Sequence, residues 1–299
     1  MGSLRINSQV FSCIFFLVPL FFSCGLGIPV NIRRPRQIRA KIVGGNNSVP
    51  GEFPFVVNIE SINLNKSFCG GAILDNVTIL TAAHCLKNGS THKCDNEVDD
   101  CFRIVAGEHN LSIHEEHEQI VNFSISDVVF HENYSDFNHI NDIALINLKK
   151  PVNFTGNLHV EPILLADPQV KYCPRSYIAG WGRTTSNSSY GPITLQHALV
   201  QILSDDDCHK QWGHDYYPEN MICAGTPSSQ LKNRRLVPDS CYGDSGGPLM
   251  ARGINDTAKW YLLGIVSWGY LCGDPEYPGV YTKIVTYLDW IRENRQSAR

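Results

Sequence analysis

Three short segments carry residue types that together can hydrolyse an amide: TAAHC (Thr81 to Cys85), NDIAL (Asn141 to Leu145) and GDSGGP (Gly243 to Pro248). Near neutral pH that reaction needs an activated nucleophile, a base of intermediate pKa, and an acidic group that fixes the tautomer of the base. Ser245, His84 and Asp142 make up such a set, although 58 residues separate His84 from Asp142 and more than a hundred separate Asp142 from Ser245. Only a fold that returns repeatedly on itself brings them to one place.

The elements that must do this are short and β-rich. From Ile42 onward the runs FVVNI, AILDNVTILTAA, FRIVAG, ISDVVF, DIALINL, SYIAGWG, PLMARG, YLLGIVSW and GVYTKIV recur with turn residues between them, a pattern that predicts an all-β barrel or sandwich. Only Ile284 to Arg295 (IVTYLDWIRENR) spaces its apolar residues as a helix does, so one C-terminal helix is expected. The chain has 299 residues, 11 cysteines and 43% hydrophobic residues, which suffices for one large or two small cores and excludes collagen, coiled coil and bulk disorder. Residues 1–41 hold six basic residues and no acid, leaving a net charge of −10 on the remainder. That balance argues against nucleic acid as a partner.

The N-terminus reads as a targeting segment. Arg5 precedes the apolar run Val10 to Phe22, which suits a signal-peptide core and is too short to span a bilayer. Residues 1–23 are therefore expected to be a signal peptide, residues 24–41 (with IPVNIRRPRQIRAK) an exposed propeptide, and residues 42–299 the functional domain. No later run is long and apolar enough for a membrane helix, so a secreted, extracellular protein without membrane attachment is expected. Export also accounts for high cysteine usage through disulfides.

Taken in order, with IVGG at Ile42 to Gly45, the three segments resemble the chymotrypsin-like (trypsin family) serine endopeptidases, over Ile42 to about Arg295. The resemblance implies two six-stranded antiparallel β-barrels with a C-terminal α-helix. It implies Ser245 as nucleophile, His84 as base, Asp142 as the group holding the imidazole, and the backbone N–H groups of Gly243 and Ser245 as the oxyanion hole. Asp239 takes the base of the primary substrate pocket, with Ser267, Trp268, Gly269 and Gly279 along its walls, so cleavage after Arg or Lys is expected. Lys41 precedes the family's mature N-terminus, so an activating trypsin-like protease is expected to cut there and the Ile42 ammonium to pair with Asp244. Protein or peptide substrates and protein protease inhibitors are the partners implied, and catalysis needs no cofactor. The different-class alternative is a non-catalytic homologue acting as a binding or cofactor protein, which calls for a broken triad.

By the same resemblance, Gly107 to Gln119 looks like a calcium loop, with Glu108, Glu115 and Glu118 as carboxylates and Asn110 and Ile113 as carbonyl donors to a structural Ca²⁺. Pro278 stands at the sodium-site position of some members, so no sodium dependence is expected. The segment from Cys85 to Gly107 is about a dozen residues longer than in a minimal member; it is either an acidic lip (Asp95, Glu97, Asp99, Asp100) or a solvated decoration. Lys232, Arg234 and Arg235 in a second extension are either autolysis points or a solvated charge run. N-x-S/T sequons at Asn46, Asn65, Asn76, Asn88, Asn110, Asn122, Asn133, Asn153, Asn187 and Asn255 suggest a glycoprotein. The family pattern pairs Cys69 with Cys85, Cys208 with Cys223 and Cys241 with Cys272, and proximity pairs Cys94 with Cys101. Cys13 leaves with the signal. If the signal ends at Ser23, Cys24 is expected to bridge to Cys173 and tether the propeptide; cleavage after Gly25 or Gly27 would leave Cys173 free.

Overall fold

The computed structural model describes residues 42–87, 100–186, 188–231 and 235–296. Lys41, Cys24, Cys94, Asn88, Asn187, Lys232, Arg234 and most of the expected acidic lip lie outside these residues.

The first half of the chain forms β1 (Asn46–Asn47), β2 (Val56–Ser61), β3 (Lys66–Asp75), β4 (Thr78–Thr81), the short helix α1 (His84–Lys87), β5 (Phe102–Ala106), β6 (Gln119–Phe123), β7 (Val128–Phe130) and β8 (Ala144–Asn147). The second half supplies β9 (Leu164–Leu165), β10 (Tyr172–Gly180), β11 (Gln196–Ile202), α2 (Asp205–Trp212), β12 (Met221–Gly225), β13 (Pro248–Gly253), β14 (Trp260–Trp268), β15 (Gly279–Lys283) and α3 (Leu288–Asn294). Strands β2 to β8 make an antiparallel sheet in the order β6-β5-β2-β3-β4-β8-β7. Strands β10 to β15 close on themselves, because β11 pairs with both β10 and β12. The molecule thus has one closed six-stranded barrel and one strongly curled half-barrel.

Val, Ile and Leu dominate these strands because β-branched and apolar side chains pack well on a pleated surface. Along β6 the burial alternates residue by residue, whereas β4 is buried throughout. Large apolar side chains such as Ile59, Ile73, Ile79 and Ile104 are fully buried in the half-barrel, each worth about 1.5–3 kcal/mol of transfer energy. Between the two sheets lies an aromatic group: Phe53 sits 5.6 Å from Trp260, and Tyr177 meets Trp260 edge-on at 5.4 Å. These contacts set one sheet against the other and place the segments at their margin.

Two departures from the sequence reading have local causes. The run ISDVVF is a strand only from Val128. Its first half is a 3-10 turn held by the Asp127 carboxylate, which accepts from the Ser124 N–H at 2.7 Å. Helix α2 was not expected, since it buries only Cys208 and has no apolar stripe. It forms because Ser204 caps it, its hydroxyl accepting from the Asp207 N–H at 3.1 Å, while three aspartates occupy the positive end of the helix dipole.

Candidate active site

His84 begins α1 directly after β4, and the Cys69–Cys85 disulfide fastens that turn to β3. Asp142 precedes β8, the strand paired with β4, so neighbouring strand ends in one sheet carry both groups. Asp142 is fully buried, and its two carboxylate oxygens accept from His84, one from the backbone N–H at 2.9 Å and one from Nδ1 at 2.8 Å. Burial works against the His84 cation, but the charge of Asp142 and its hydrogen bond outweigh it, so the imidazole pKa is raised. Burial would likewise raise the Asp142 carboxyl, yet His84 and the Ser267 hydroxyl hold it below the usual range.

Several supports of this pair were not legible in the sequence. The Ser267 hydroxyl donates to Asp142 at 2.5 Å, and the Thr282 hydroxyl donates to the Asp142 backbone carbonyl at 2.7 Å. The family resemblance implies Ser267 as a pocket wall, and it does line the cavity. Asn141 adopts a left-handed φ of 58°, and its side-chain oxygen accepts from the Tyr287 hydroxyl at 2.9 Å. Asn and His tolerate such backbone better than most residues, but no linear pattern announces the partners.

Ser245 lies in the turn before β13, at the edge of the closed barrel, and shares one cavity of about 370 Å³ with His84. Gly243, two residues earlier, has φ 101°, a conformation that a side chain would strain. The Asp244 N–H is bonded to the Cys241 carbonyl at 2.9 Å. Among the described residues, no backbone carbonyl takes up the N–H of Gly243 or Ser245.

Asp239, Trp268, Gly269 and Gly279 line the same cavity. Asp239 is 5% exposed; its oxygens accept from the Ser240 N–H at 2.8 Å and the Gly273 N–H at 2.9 Å. Burial pushes its carboxyl up to about 7 against those two donors, with the charges of Asp244 and Asp274 adding to the rise. A Cβ on Gly279 would stand 2.8 Å from the Asp239 carboxylate, so glycine there leaves the acid open to the cavity.

Ile42 is fully buried in the closed barrel among Ile178, Leu249 and Tyr281, and Val43 packs on the Cys241–Cys272 disulfide. The Val43 carbonyl accepts from the Asp239 N–H at 3.3 Å, which joins this N-terminal segment to the pocket. Asp244, 2% exposed, accepts from the N–H groups of Cys241 and Gly182 at 2.9 and 2.8 Å. Burial raises its carboxyl to about 7, partly offset by those donors.

In a loop of the half-barrel, Glu108, Glu115 and Glu118 bring carboxylate oxygens within 4.8 Å of one another. One oxygen of each is buried without a hydrogen-bond partner. Burial and the neighbouring carboxylates, Glu118 foremost, push the Glu108 carboxyl up to about 8. The Asn110 carbonyl accepts from the Ile113 N–H at 3.0 Å, and Asn110 Oδ1 is held by Ser112.

Cys208 and Cys223 are also bonded. Cys101 and Cys173 are each disulfide-bonded as well; the expected partners, Cys94 and Cys24, lie outside the described residues. Cys173 is therefore not a free thiol. Of the lip, Asp100 is described, and it pairs with Lys149 at 2.6 Å, so this acid does not present an unpaired charge. Among the described sequons, Asn46, Asn65, Asn122, Asn133, Asn153 and Asn255 are exposed, and Asn76 and Asn110 are half-buried. Arg235 is exposed. No helix among the described residues is long and apolar enough to cross a membrane.

Comparison with known proteins places these features in context. A family model described as trypsin matches residues 42–291. Trypsin-1 of Astacus astacus is 40% identical over 256 residues, covering 85% of this chain and 99% of that protein. Trypsin II-P29 of Gallus gallus is 36% identical over 253 residues, 85% of this chain and 88% of its own length. Serine protease 1 of Rattus norvegicus is 35% identical over 259 residues, 87% of this chain and 92% of its own.

Proposed function

Because the chain belongs to the trypsin family of serine proteases, we propose that it is a secreted endopeptidase, made as a zymogen, that cleaves peptide bonds after Arg and Lys. The observation that carries the specificity is a buried carboxylate, Asp239, in the same cavity as His84 and Ser245. A carboxylate out of water with only two N–H donors is stabilised strongly by a guanidinium or ammonium partner.

In this reading the Ser245 Oγ attacks the scissile carbonyl while His84, through Nε2, takes the hydroxyl proton and then delivers it to the leaving amine. Asp142 keeps the other imidazole nitrogen protonated, and Ser267 and Thr282 keep Asp142 in place. The N–H groups of Gly243 and Ser245 receive the oxyanion, a contribution of about 3–4 kcal/mol for each donor.

Residues 1–23 act as signal peptide and residues 24–41 as propeptide. Cleavage after Lys41 by a trypsin-like protease frees the Ile42 ammonium to neutralise Asp244. The burial of Ile42 and the raised pKa of Asp244 support this step. Glu108, Glu115 and Glu118, with carbonyls of Asn110 and Ile113, suit Ca²⁺: three orphaned carboxylate oxygens in one loop are the hard donors that ion takes. The ion would offset their mutual repulsion and stiffen the loop. Sequons on the surface support a glycoprotein, and protein protease inhibitors are expected to fill the same cleft.

The test uses the secreted protein cut at Lys41. Ser245 should be labelled by an organophosphate, and Arg and Lys amide substrates should be hydrolysed in preference to Phe. Asp239→Ser should lower Arg-amide hydrolysis by about one to three orders of magnitude while sparing the labelling. Absence of labelling would favour a non-catalytic binding homologue, and unchanged Arg hydrolysis in the variant would reject the pocket assignment.

A further inference from the structure

We propose that Asn141 is a positioning residue: together with Asn220 and Tyr287 it clamps the turn that carries Asp142 to the closed barrel, and so aims that carboxylate at the His84 imidazole. The inference rests on the reading of Asp142 as the group that orients the catalytic base. Asp142 is the centre of a three-residue turn, in which the Asn141 carbonyl accepts from the Ile143 N–H at 2.8 Å. The turn leads into β8 of the half-barrel, yet its neighbours come from the other side of the cleft. Ile140 packs on a closed-barrel cluster of Tyr216, Met221, Val280, Cys208 and Cys223. Directly after it, Asn141 enters the left-handed region at φ 58°, which Asn tolerates better than most residues.

The side chain of Asn141 closes a ring of hydrogen bonds. Its Oδ1 accepts from the Tyr287 hydroxyl at 2.9 Å and from Asn220 Nδ2 at 3.3 Å, and the same Asn220 amide donates to the Tyr287 oxygen at 3.0 Å. Its Nδ2 donates to the Asn133 carbonyl at 2.9 Å within its own loop. The opposite rotation of the amide would set donor against donor and oxygen against oxygen, so this orientation is fixed. Tyr287 is buried, so water does not compete for its hydroxyl. The two partners form one body: the Asn220 carbonyl accepts from the Lys283 N–H at 2.9 Å, and the Glu219 carbonyl from the Thr286 hydroxyl at 2.6 Å. Asn220 leads into β12, and Tyr287 ends the 3-10 turn after β15. One amide thus ties the turn to both, one residue before the carboxylate. A small error of aim there is costly, because proton transfer depends steeply on geometry.

The test compares the Lys41-cleaved wild type with Tyr287→Phe, which keeps the ring, and Asn141→Gly, which keeps the left-handed backbone. Ser204→Ala, at the cap of α2, is the control for lost stability alone. Arg-amide kinetics give kcat and KM, and proton NMR follows the His84 imidazole, assigned by its absence in His84→Gln. In both clamp variants kcat should fall at least about fivefold, with KM within about twofold of wild type. The His84 titration should move to lower pH, because burial is less opposed once Asp142 drifts. Asp136 and His139, which also act on or face His84, are unaltered in both. Combining the two substitutions should cost no more than Asn141→Gly alone. Thermal midpoints report that each variant is folded. An unmoved His84 titration in both clamp variants, or an equal shift in Ser204→Ala, overturns the proposal. If the cleaved wild type hydrolyses no Arg or Lys substrate, the catalytic reading of the triad fails instead. The His84 titration then still decides whether the clamp aims Asp142.

Discussion

At the scale of single residues, the chemistry turns on carboxylates whose surroundings differ. Asp142 is buried yet held anionic by His84 and Ser267, whereas Asp239 and Asp244 are buried with backbone donors alone and are pushed up to about 7. The difference predicts a pH signature for the pocket. With Asp239 raised, its neutral form dominates below about 7, and a cationic ligand binds only the ionised form, so binding releases a proton. In the inactive Ser245→Ala protein, the affinity for an aryl amidinium should fall about tenfold for each pH unit below about 7 and level off above it. Asp239→Asn should bind weakly with a much flatter slope. A wild-type slope unchanged by Asp239→Asn would assign the titration to His84 instead. The residue types of Ser245, His84, Asp142 and Asp239 were legible in short motifs. The contacts by which Ser267 and Asn141 support the site were not, because a hydroxyl or an amide acquires its role from the atoms that the fold sets beside it.

At the scale of elements, most strands of the two sheets were readable from apolar and β-branched runs and the C-terminal helix from its spacing, whereas β1, β6, β9, β11 and β12 lie outside those runs. The structure divides that last segment into a 3-10 turn, Ile284–Tyr287, followed by α3. Helix α2 leaves no apolar stripe in the sequence, because its stability comes from its cap and dipole rather than from an apolar face. Ser204→Ala should therefore lower unfolding stability by about 1 kcal/mol, measured by denaturant titration, with Arg-amide turnover unchanged. A loss of turnover without loss of stability would place α2 in the catalytic machinery, contrary to its position.

At the scale of the whole molecule, a closed barrel and a half-barrel meet so that His84 and Asp142 come from one and Ser245 and Asp239 from the other. The carboxylate loop lies on the half-barrel and is self-repelling when bare. Ca²⁺ at about a hundredfold excess over its Kd should stabilise the fold by about 2.7 kcal/mol. For a domain of this size that raises Tm by about 5–10 °C. Chelation should reverse the gain, and Glu108→Gln should abolish most of it. An unchanged Tm in calorimetry would remove calcium from the account.

The sequence by itself determined the chemistry available: which residue types could form a nucleophile, base and pocket acid, a β-rich scaffold, and a basic segment ahead of Ile42. Those features follow from local composition and from periodicity along the chain. Only the tertiary structure decided which groups lose water and which partners they meet. His84 and Asp142 lie 58 residues apart in the chain and 2.8 Å apart in space. Their altered pKa values and the orphaned carboxylate oxygens of the loop arise from burial and distance. Long-range packing fixes both, and no local pattern of residues encodes them.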